Sequence, residues 1–404
     1  QPEFALPSAD VLTCLFLLGF CSLGLEVIWM RIYTPYLGTV VYSFASILAC
    51  YLIFTSYGTH IYRKSFHKWP KKTIQLIWLA IAPSALLTLV ACSPGYSDAI
   101  FGQSIHWSRP TQLSFRHHYT YLIDKSSKSY PHLAGVAYAI NLTGCIFGPL
   151  ASGFLLIPIF GNIVAAYVFT GIFLVLTLTQ GHLLISADNR KWATFGAKPW
   201  IVVIATCIVF GFLGRPYESR FKDALIRHDH TASVVAVGKG MDKELYVNGV
   251  NMTSLVTTTK LMSHFPLMHL PQNPERGLVI AFGMGTTFRS MAAWGIETIA
   301  VELIPSVPEL FPYFYDDAQE ILSRTSPGSN IVVDDGRRYL NRIEEKFDVI
   351  TIDPPPPIQS AALSLLYSKE FYESIKLRLK DDGILAAWSF HGDRATWAAV
   401  TIAI

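Results

Sequence analysis

Charge is scarce in this sequence of 404 residues. Asp, Glu, Lys and Arg together make up 15% of it and leave a formal net charge of +3. The basic residues form no continuous stripe, so a nucleic-acid partner has no electrostatic footprint here. Cysteine is sparse and one-sided: Cys14, Cys21, Cys50, Cys92, Cys145 and Cys207 all precede Pro216. The C-terminal part therefore has no thiol nucleophile. Without a CxxC pair, neither a zinc site nor a disulfide framework is indicated. No metal is expected.

What takes the place of charge is apolar surface. Hydrophobic residues make up 51% of the chain and mean hydropathy is +0.36, more apolar than an ordinary soluble protein. The excess lies before Pro216, in runs from Val11 to Met30, Val40 to Ile61, Ile74 to Cys92, Leu133 to Pro158, Ile163 to Ile185 and Trp200 to Leu213. Most approach the roughly 20 residues that a bilayer core demands, so residues 1–215 are expected to form a transmembrane helical bundle of about six spans. Val11 to Met30 lacks the basic start and small-residue cleavage site of a signal sequence and reads as a true span. The basic loop from Arg63 to Lys72 sets the expected orientation, with both chain ends and the soluble part in the cytoplasm. Glu26, an acid inside an apolar run, has two readings: a partner for a neighbouring helix or interfacial water, and part of a substrate or proton path. Residues 93–130 form a polar, aromatic insertion, long for a structureless loop, that can lie over the membrane surface or dock on another subunit of a membrane complex.

After Pro216 the pattern changes. Residues 216–262 read as a small β-domain, because Ala232 to Val237 and Glu244 to Val247 alternate like strands and Asn248-Gly249 marks a hairpin turn. Residues 263–404 read as α/β. Leu278 to Phe282, Thr298 to Val301, Asn330 to Val333 and Phe347 to Ile352 are apolar runs of strand length, each ending in small or acidic residues, where a parallel sheet presents its carboxyl edge and binds ligands. The first leads into Gly283-Met284-Gly285, a turn that lets the backbone approach a ligand at a helix start, which Thr286 or Thr287 can cap. Glu302 follows about 20 residues beyond the first glycine, the spacing of an acid that accepts ribose hydroxyls. Phe288 stands where a dinucleotide fingerprint has its third glycine, so an adenosine-type ligand without a pyrophosphate fits better than NAD. Asp335 and Asp353 reach the same edge, where one can hold an adenine amino group and the other can face a reacting amine. Each acid also has a plain structural reading: Glu302 exposed at a strand end, Asp335 capping the turn before Arg337, and Asp353 a turn residue before four prolines.

Taken in order, Asn248-Gly249, His264-Phe265-Pro266-Leu267, Gly283-Met284-Gly285-Thr286-Thr287, Val301-Glu302-Leu303, Asp335-Gly336-Arg337-Arg338-Tyr339-Leu340, Asp348-Val349-Ile350, Asp353-Pro354 and the run Leu366 to Tyr372 resemble the spermidine synthase-like family. Gly24 to Arg31, Gly135 to Asn141 and Gly153 to Pro158 extend the resemblance to its bacterial form with an integral membrane N-terminal region. The resemblance implies a Rossmann-like domain of the class I methyltransferase type. It also implies an aminopropyltransferase that uses decarboxylated S-adenosylmethionine, or S-adenosylmethionine itself, in a bacterial inner membrane. By matching positions, Gly283, Gly285, Thr286, Glu302, Asp335 and Gly336 bind the donor, with Glu302 on its ribose and Asp335 on its adenine. Asp353 accepts the amine proton and Tyr367 closes the pocket. Two departures leave the acceptor open: Pro356 replaces the family's second aspartate, and Thr257-Thr258-Thr259 occupy its acidic region. A multiply charged amine lacks partners there. The chain also stops soon after Trp388, where the family's domain continues with another strand: either the true C-terminus lies beyond this sequence or the sheet is shortened. The alternative is a catalytically silent subunit acting as an assembly component of a membrane complex.

Overall fold

The computed structural model describes residues 9–38, 40–65, 71–94, 131–186, 198–324, 331–353 and 365–388. The insertion beyond residue 94, the basic loop at 66–70, the prolines at 354–357 and the tail after residue 388 lie outside the described residues. The chain divides into two compact units, Gln1–Arg220 and Phe221–Ile404.

The first unit is helical. Helix α1 (Ala9–Leu37) packs chiefly along α4 (Pro131–Ala151), and also against α2 (Val40–Ser65) and α5 (Ile157–Ser186). Helix α3 (Lys71–Ala91) packs on α5 and on α6 (Lys198–Leu213). The buried positions Leu18, Cys21, Leu25 and Ile28 of α1 recur at alternating three- and four-residue steps, the repeat that keeps one helical stripe against its neighbours.

The α1–α4 seam is built from small and amide side chains. The Asn141 amide donates to the Leu15 carbonyl at 2.7 Å and the Ser152 hydroxyl to that of Gly24 at 2.9 Å. Between these anchors, Gly144 and Gly148 set backbone against backbone: a Cβ on either would run into the carbonyl oxygen of Phe16 or Phe20. Small residues at this spacing let apolar helices approach closely and hydrogen-bond across the gap.

The expected six spans are not what the helices provide. Among the described residues two stretches are long and apolar enough to cross a bilayer, Ala9–Leu37 and Ala134–Leu176. The described apolar parts of the others, Val40–Ile53, Ala82–Ala91 and Ile201–Leu213, run for 10–17 residues. The segments expected as separate fourth and fifth spans form one stretch with two irregularities. The helix widens into a π segment at Ser152–Leu156, just before Pro158, which brings no N–H for the carbonyl four residues back. It then breaks at Gly161, whose φ of 78° and ψ of 172° are not helical.

In the second unit, β1 (Leu225–His228), β2 (Ser233–Val237), β3 (Glu244–Val247) and β4 (Val250–Ser254) form an antiparallel meander. The turn between β3 and β4 takes positive φ at both Asn248 (50°) and Gly249 (81°), as a tight hairpin turn of this sequence requires. Next comes a parallel sheet of β5 (Arg276–Ile280), β6 (Glu297–Glu302), β7 (Ile331–Val333), β8 (Phe347–Ile352) and β9 (Leu379–Ala387) in the order β7-β6-β5-β8-β9. Strand β9 is invisible to periodicity because Lys380-Asp381-Asp382-Gly383 interrupts its apolar pattern.

Helices cover both faces of this sheet. Helix α7 (Thr257–His269) with Leu267, α8 (Thr286–Ala292) with Phe288 and Met291, and α9 (Ala318–Arg324) with Ile321 share a core with Val279 of β5. Helix α10 (Gly336–Arg342) with Leu340 and α11 (Lys369–Arg378) with Phe371 and Ile375 share the other core with Leu278 and Ile280. This alternation along β5 is the period of two that a doubly covered strand shows. The strand order reverses at β5, whose neighbours are β6 and β8. In open α/β sheets the crevice at such a reversal, at the carboxyl ends of the strands, is where ligands bind.

The seam yields a test. Gly148→Leu should lower the stability of the detergent-purified chain by about 1–3 kcal/mol through overpacking. Gly135→Ala, whose added methyl meets nothing within 4 Å, should leave the melting midpoint unchanged or slightly raised. Equal losses in both variants would remove the seam as the reason for the glycines.

Candidate active site

Beyond β5 the chain turns through left-handed backbone at Ala281 (φ 73°), Gly283 (56°) and Gly285 (78°). The strand therefore stops at Ile280, not at Phe282 as the apolar run suggests. Gly285 is constrained twice, since a Cβ there would also lie 2.6 Å from the Phe311 ring and 2.7 Å from that of Phe282. Ala281 adopts the same kind of φ with a Cβ, at a cost of about 1–2 kcal/mol. Its N–H bonds to the Val301 carbonyl at 3.0 Å, tying the turn to β6.

Glu302, at the end of β6, fixes this turn. It is 8% exposed, and its carboxylate accepts the N–H groups of Phe282 at 2.9 Å, Gly283 at 3.4 Å and Ile304 at 3.0 Å. Burial pushes its proton affinity up, and the backbone donors oppose that rise. The reading of Glu302 as a solvent-exposed strand end is therefore overturned.

Thr286 and Thr287 do not cap α8, as sequence reading expects. Gly285 occupies the cap position through its backbone, and the two threonines are the first helical residues. The left-handed turn delivers both hydroxyls to the interior instead. Thr286 Oγ1 pairs with the Tyr315 hydroxyl at 2.7 Å. Thr287 Oγ1 lies 3.2 Å from Asp353 Oδ2 and 3.2 Å from the Thr259 carbonyl. Phe288 is fully buried, with its ring centroid 5.5 Å from that of Phe282 and 6.0 Å from that of Phe311. An aromatic contact seats α8 where the dinucleotide fingerprint uses a glycine.

Asp353 follows β8 directly, and its N–H bonds to the Ile280 carbonyl at 3.1 Å, which places it beside the glycine turn. It is partly buried, and desolvation pushes its carboxyl from the ordinary 3.8 up to about 6, against the lowering effect of the Thr287 hydroxyl. Tyr367 donates to the Trp388 carbonyl at 3.1 Å. Trp388 in turn donates its N–H to Ile352, so the phenol lies across the ends of β8 and β9. Burial raises its proton affinity, with Tyr372 and then Asp353 adding to the effect.

Asp335 caps α10, its Oδ1 accepting the N–H groups of Arg337 at 2.9 Å and Arg338 at 3.1 Å. Gly336, the first residue of α10, comes close enough to β5 that a Cβ would lie 2.6 Å from Ile280 Cγ2. The adjacent Asp334, which sequence reading passes over, is the buried acid of the pair. It bonds its N–H to the Glu302 carbonyl at 3.0 Å and binds Arg338 and Arg342. A groove of about 640 Å³ between α10 and α11 is lined by Asp335, Arg337, Asn341, Ser368, Glu370 and Phe371 among others. It shares only Asp335 with the strand-end residues.

The structure thus brings Gly283, Gly285, Thr286, Glu302 and Asp353 to one end of the sheet, with Asp335, Gly336 and Tyr367 on the flanking elements. Thr287 is the residue that sequence reading undervalues. Its only signal is a hydroxyl one step into the helix after the glycine turn. Among the described residues no three His, Cys, Asp or Glu side chains are grouped as metal ligands.

Residues 256–392 match the spermine/spermidine synthase domain. The chain is 29% identical over 174 residues to the polyamine aminopropyltransferase of Thermococcus kodakarensis, covering 42% of this chain and 54% of that protein. It is 35% identical over 132 residues to the polyamine aminopropyltransferase of Methanocaldococcus jannaschii, covering 32% and 43%. The chain spans about half the length of these curated relatives. Among solved structures, spermidine synthase from Thermotoga maritima matches at 24% identity with a TM-score of 0.36, covering 43% of this chain and 60% of that one. A spermidine synthase in complex with the transition state analogue AdoDATO matches at 23% identity with the same score, covering 45% and 61%.

Two outcomes check this geometry. Gly285→Ala should destabilise the second unit by about 1–3 kcal/mol, whereas Ala281→Gly should stabilise it by about 1 kcal/mol; chemical denaturation measures both. Because the folded carboxyl of Asp353 sits at about 6, wild type should lose stability relative to Asp353→Asn as pH rises from about 4 to 6. The difference should plateau at roughly 2–3 kcal/mol. A difference independent of pH would show that Asp353 titrates normally.

Proposed function

We propose that the C-terminal unit transfers an aminopropyl group from decarboxylated S-adenosylmethionine to an amine, and that the apolar helices anchor it to a bilayer with this unit on the cytosolic side. The observation that carries the reading is Asp353, a desolvated carboxylate at the switch point, hydrogen-bonded to the helix that follows the glycine turn. The relatives named polyamine aminopropyltransferase support it.

In this transfer the amine lone pair forms a bond to the propyl carbon beside the sulfonium. The carbon–sulfur bond breaks and its electron pair stays on sulfur, which leaves as neutral methylthioadenosine, while the new secondary amine sheds a proton. Asp353 is ionised above about pH 6, so it can take that proton, and an affinity raised towards the working pH makes the transfer more effective. Most of the remaining work is holding two reactants in line.

The donor-binding acids retain capacity for this task. A carboxylate offers about four acceptor positions. Glu302 accepts from the backbone of Phe282, Gly283, Ile304 and Leu303, so a ribose hydroxyl shares an acceptor oxygen with one of them. Asp335 uses Oδ1 for both capping bonds, which leaves Oδ2 for an adenine amino group. Since Thr257-Thr258-Thr259 open α7 with hydroxyls in place of acids, the acceptor is an amine of low charge and not an extended polycation. The membrane reading is supported by the outer surface of the first unit, where Leu142, Ile146, Leu150, Phe154 and Ile159 are 46–66% exposed. Apolar surface on that scale calls for a non-aqueous partner.

Calorimetry on the detergent-purified chain with decarboxylated S-adenosylmethionine, S-adenosylmethionine and methylthioadenosine tests the reading. The decarboxylated donor and methylthioadenosine should bind, and Glu302→Ala should weaken both. Asp353→Asn should keep donor binding while slowing transfer to small primary amines by about 10²–10⁴-fold. Folded protein that binds none of these nucleosides would sink the proposal.

A further inference from the structure

A single hydroxyl connects the proposed base to the helix beside it. Thr287 Oγ1 lies at 3.2 Å from Asp353 Oδ2 and at 3.2 Å from the Thr259 carbonyl of α7. Thr287 is 1% exposed, so its hydroxyl turns to these two neighbours and not to bulk water. A threonine hydroxyl has one hydrogen to donate and lone pairs to accept with. Both neighbours are acceptors when Asp353 is ionised, and only one of them can then receive the hydrogen. When Asp353 is protonated, its own hydrogen goes to Thr287 Oγ1, and the Thr287 hydrogen is left for Thr259.

We infer that Thr287 is a positioning residue for Asp353 and a proton-responsive link between that carboxylate and the first turn of α7. With Asp353 ionised, the hydroxyl turns to Oδ2, holds the carboxylate at the end of β8 and gives up Thr259. With Asp353 protonated, the hydroxyl turns back and ties α7 to α8 through the Thr259 carbonyl. Two further contacts hold α7 in either state: Ser263 Oγ donates to the Thr287 carbonyl at 2.6 Å and Thr351 Oγ1 to that of Met262 at 3.4 Å. The switch therefore acts on the first turn, ahead of those anchors. This deepens the proposed function, because it rests on Asp353 as the base and makes the acceptor-side helix sense whether the proton has been taken.

Other charged and titratable groups on the surrounding elements do not replicate this role. Lys260 is on α7 itself, where His264 accepts from the Trp294 indole at 2.9 Å. Arg289 on α8 is committed to Asp317, and Glu302 to the glycine turn. Tyr367 donates to Trp388. The affinity of Asp353, raised to about 6 by desolvation against the lowering effect of Thr287, puts the switching range near pH 6.

The test is a pH titration of Asp353 in the detergent-purified full chain, followed by the infrared band of its protonated carboxyl, which is identified by its loss in Asp353→Asn. Thr287→Val, which keeps shape and removes the hydroxyl, should move the midpoint up by about one pH unit, and Thr287→Ser should restore it. Amide exchange at Ser263, the helical partner of the Thr259 carbonyl, corrected for intrinsic rates, should rise across the wild-type midpoint and stay flat in Thr287→Val. Unchanged midpoints in both variants, or α7 exchange that ignores the titration, would overturn the link. Should Thr287→Val not fold, Thr287→Ala read against Thr287→Ser carries the same comparison. Donor turnover is assayed separately: an intact midpoint shift without transfer supports the link and removes the aminopropyl reading instead.

Discussion

The carboxylate of Glu302 accepts hydrogen bonds from the turn that ends the neighbouring strand, and the geometry of the candidate site follows from that arrangement. The turn passes through positive φ at Ala281, Gly283 and Gly285, conformations that a chain adopts only when its surroundings hold it there. Glu302 supplies that hold through Phe282 and Gly283. Only because the turn is fixed does α8 begin at Thr286, and only then does Thr287 reach Asp353. A carboxylate that organises the backbone at the strand ends thus sets where a ligand can approach.

Aromatic packing supports the same turn from beneath. Phe282, Phe288 and Phe311 meet edge-on or tilted, with centroids 5.2–6.0 Å apart, contacts worth about 0.5–1.5 kcal/mol each beyond the burial of area. Together they are of the same size as the strain at Ala281, which explains how an alanine persists where glycine is easier. They also account for Phe288 in place of a glycine: the helix is seated by a filled core, not by backbone contact with the sheet. Gly336 makes the opposite choice on the other face, bringing α10 against Ile280 by having no side chain.

The helical unit solves its own packing problem by different means. The α1–α4 seam relies on Gly144 and Gly148 for close contact and on Asn141 and Ser152 for hydrogen bonds. Large apolar side chains are turned outward instead, on the opposite side of α4.

Much of the second unit can be read from the chain. Strand runs with a period of two, the Asn248-Gly249 turn and the acids at strand ends are local signals, and local sterics and hydrogen bonding produce them. Composition likewise marks the first unit as apolar, but only helix length decides that, among the described residues, two stretches are long and apolar enough to cross a bilayer. Strand β9 escapes because its charged residues sit inside a strand whose place is fixed by pairing with β8. The capping role assigned to Thr286 and Thr287 fails because the turn conformation at Gly285, packed against Phe282 and against Phe311 from farther along the chain, decides which way those hydroxyls face. The sequence by itself determined which residue types stand at the sheet's carboxyl edge, since each lies at the end of its own strand. The tertiary structure alone decided which of them are desolvated, which are spent on backbone N–H groups and which share a hydrogen, because those properties depend on neighbours brought in from distant parts of the chain.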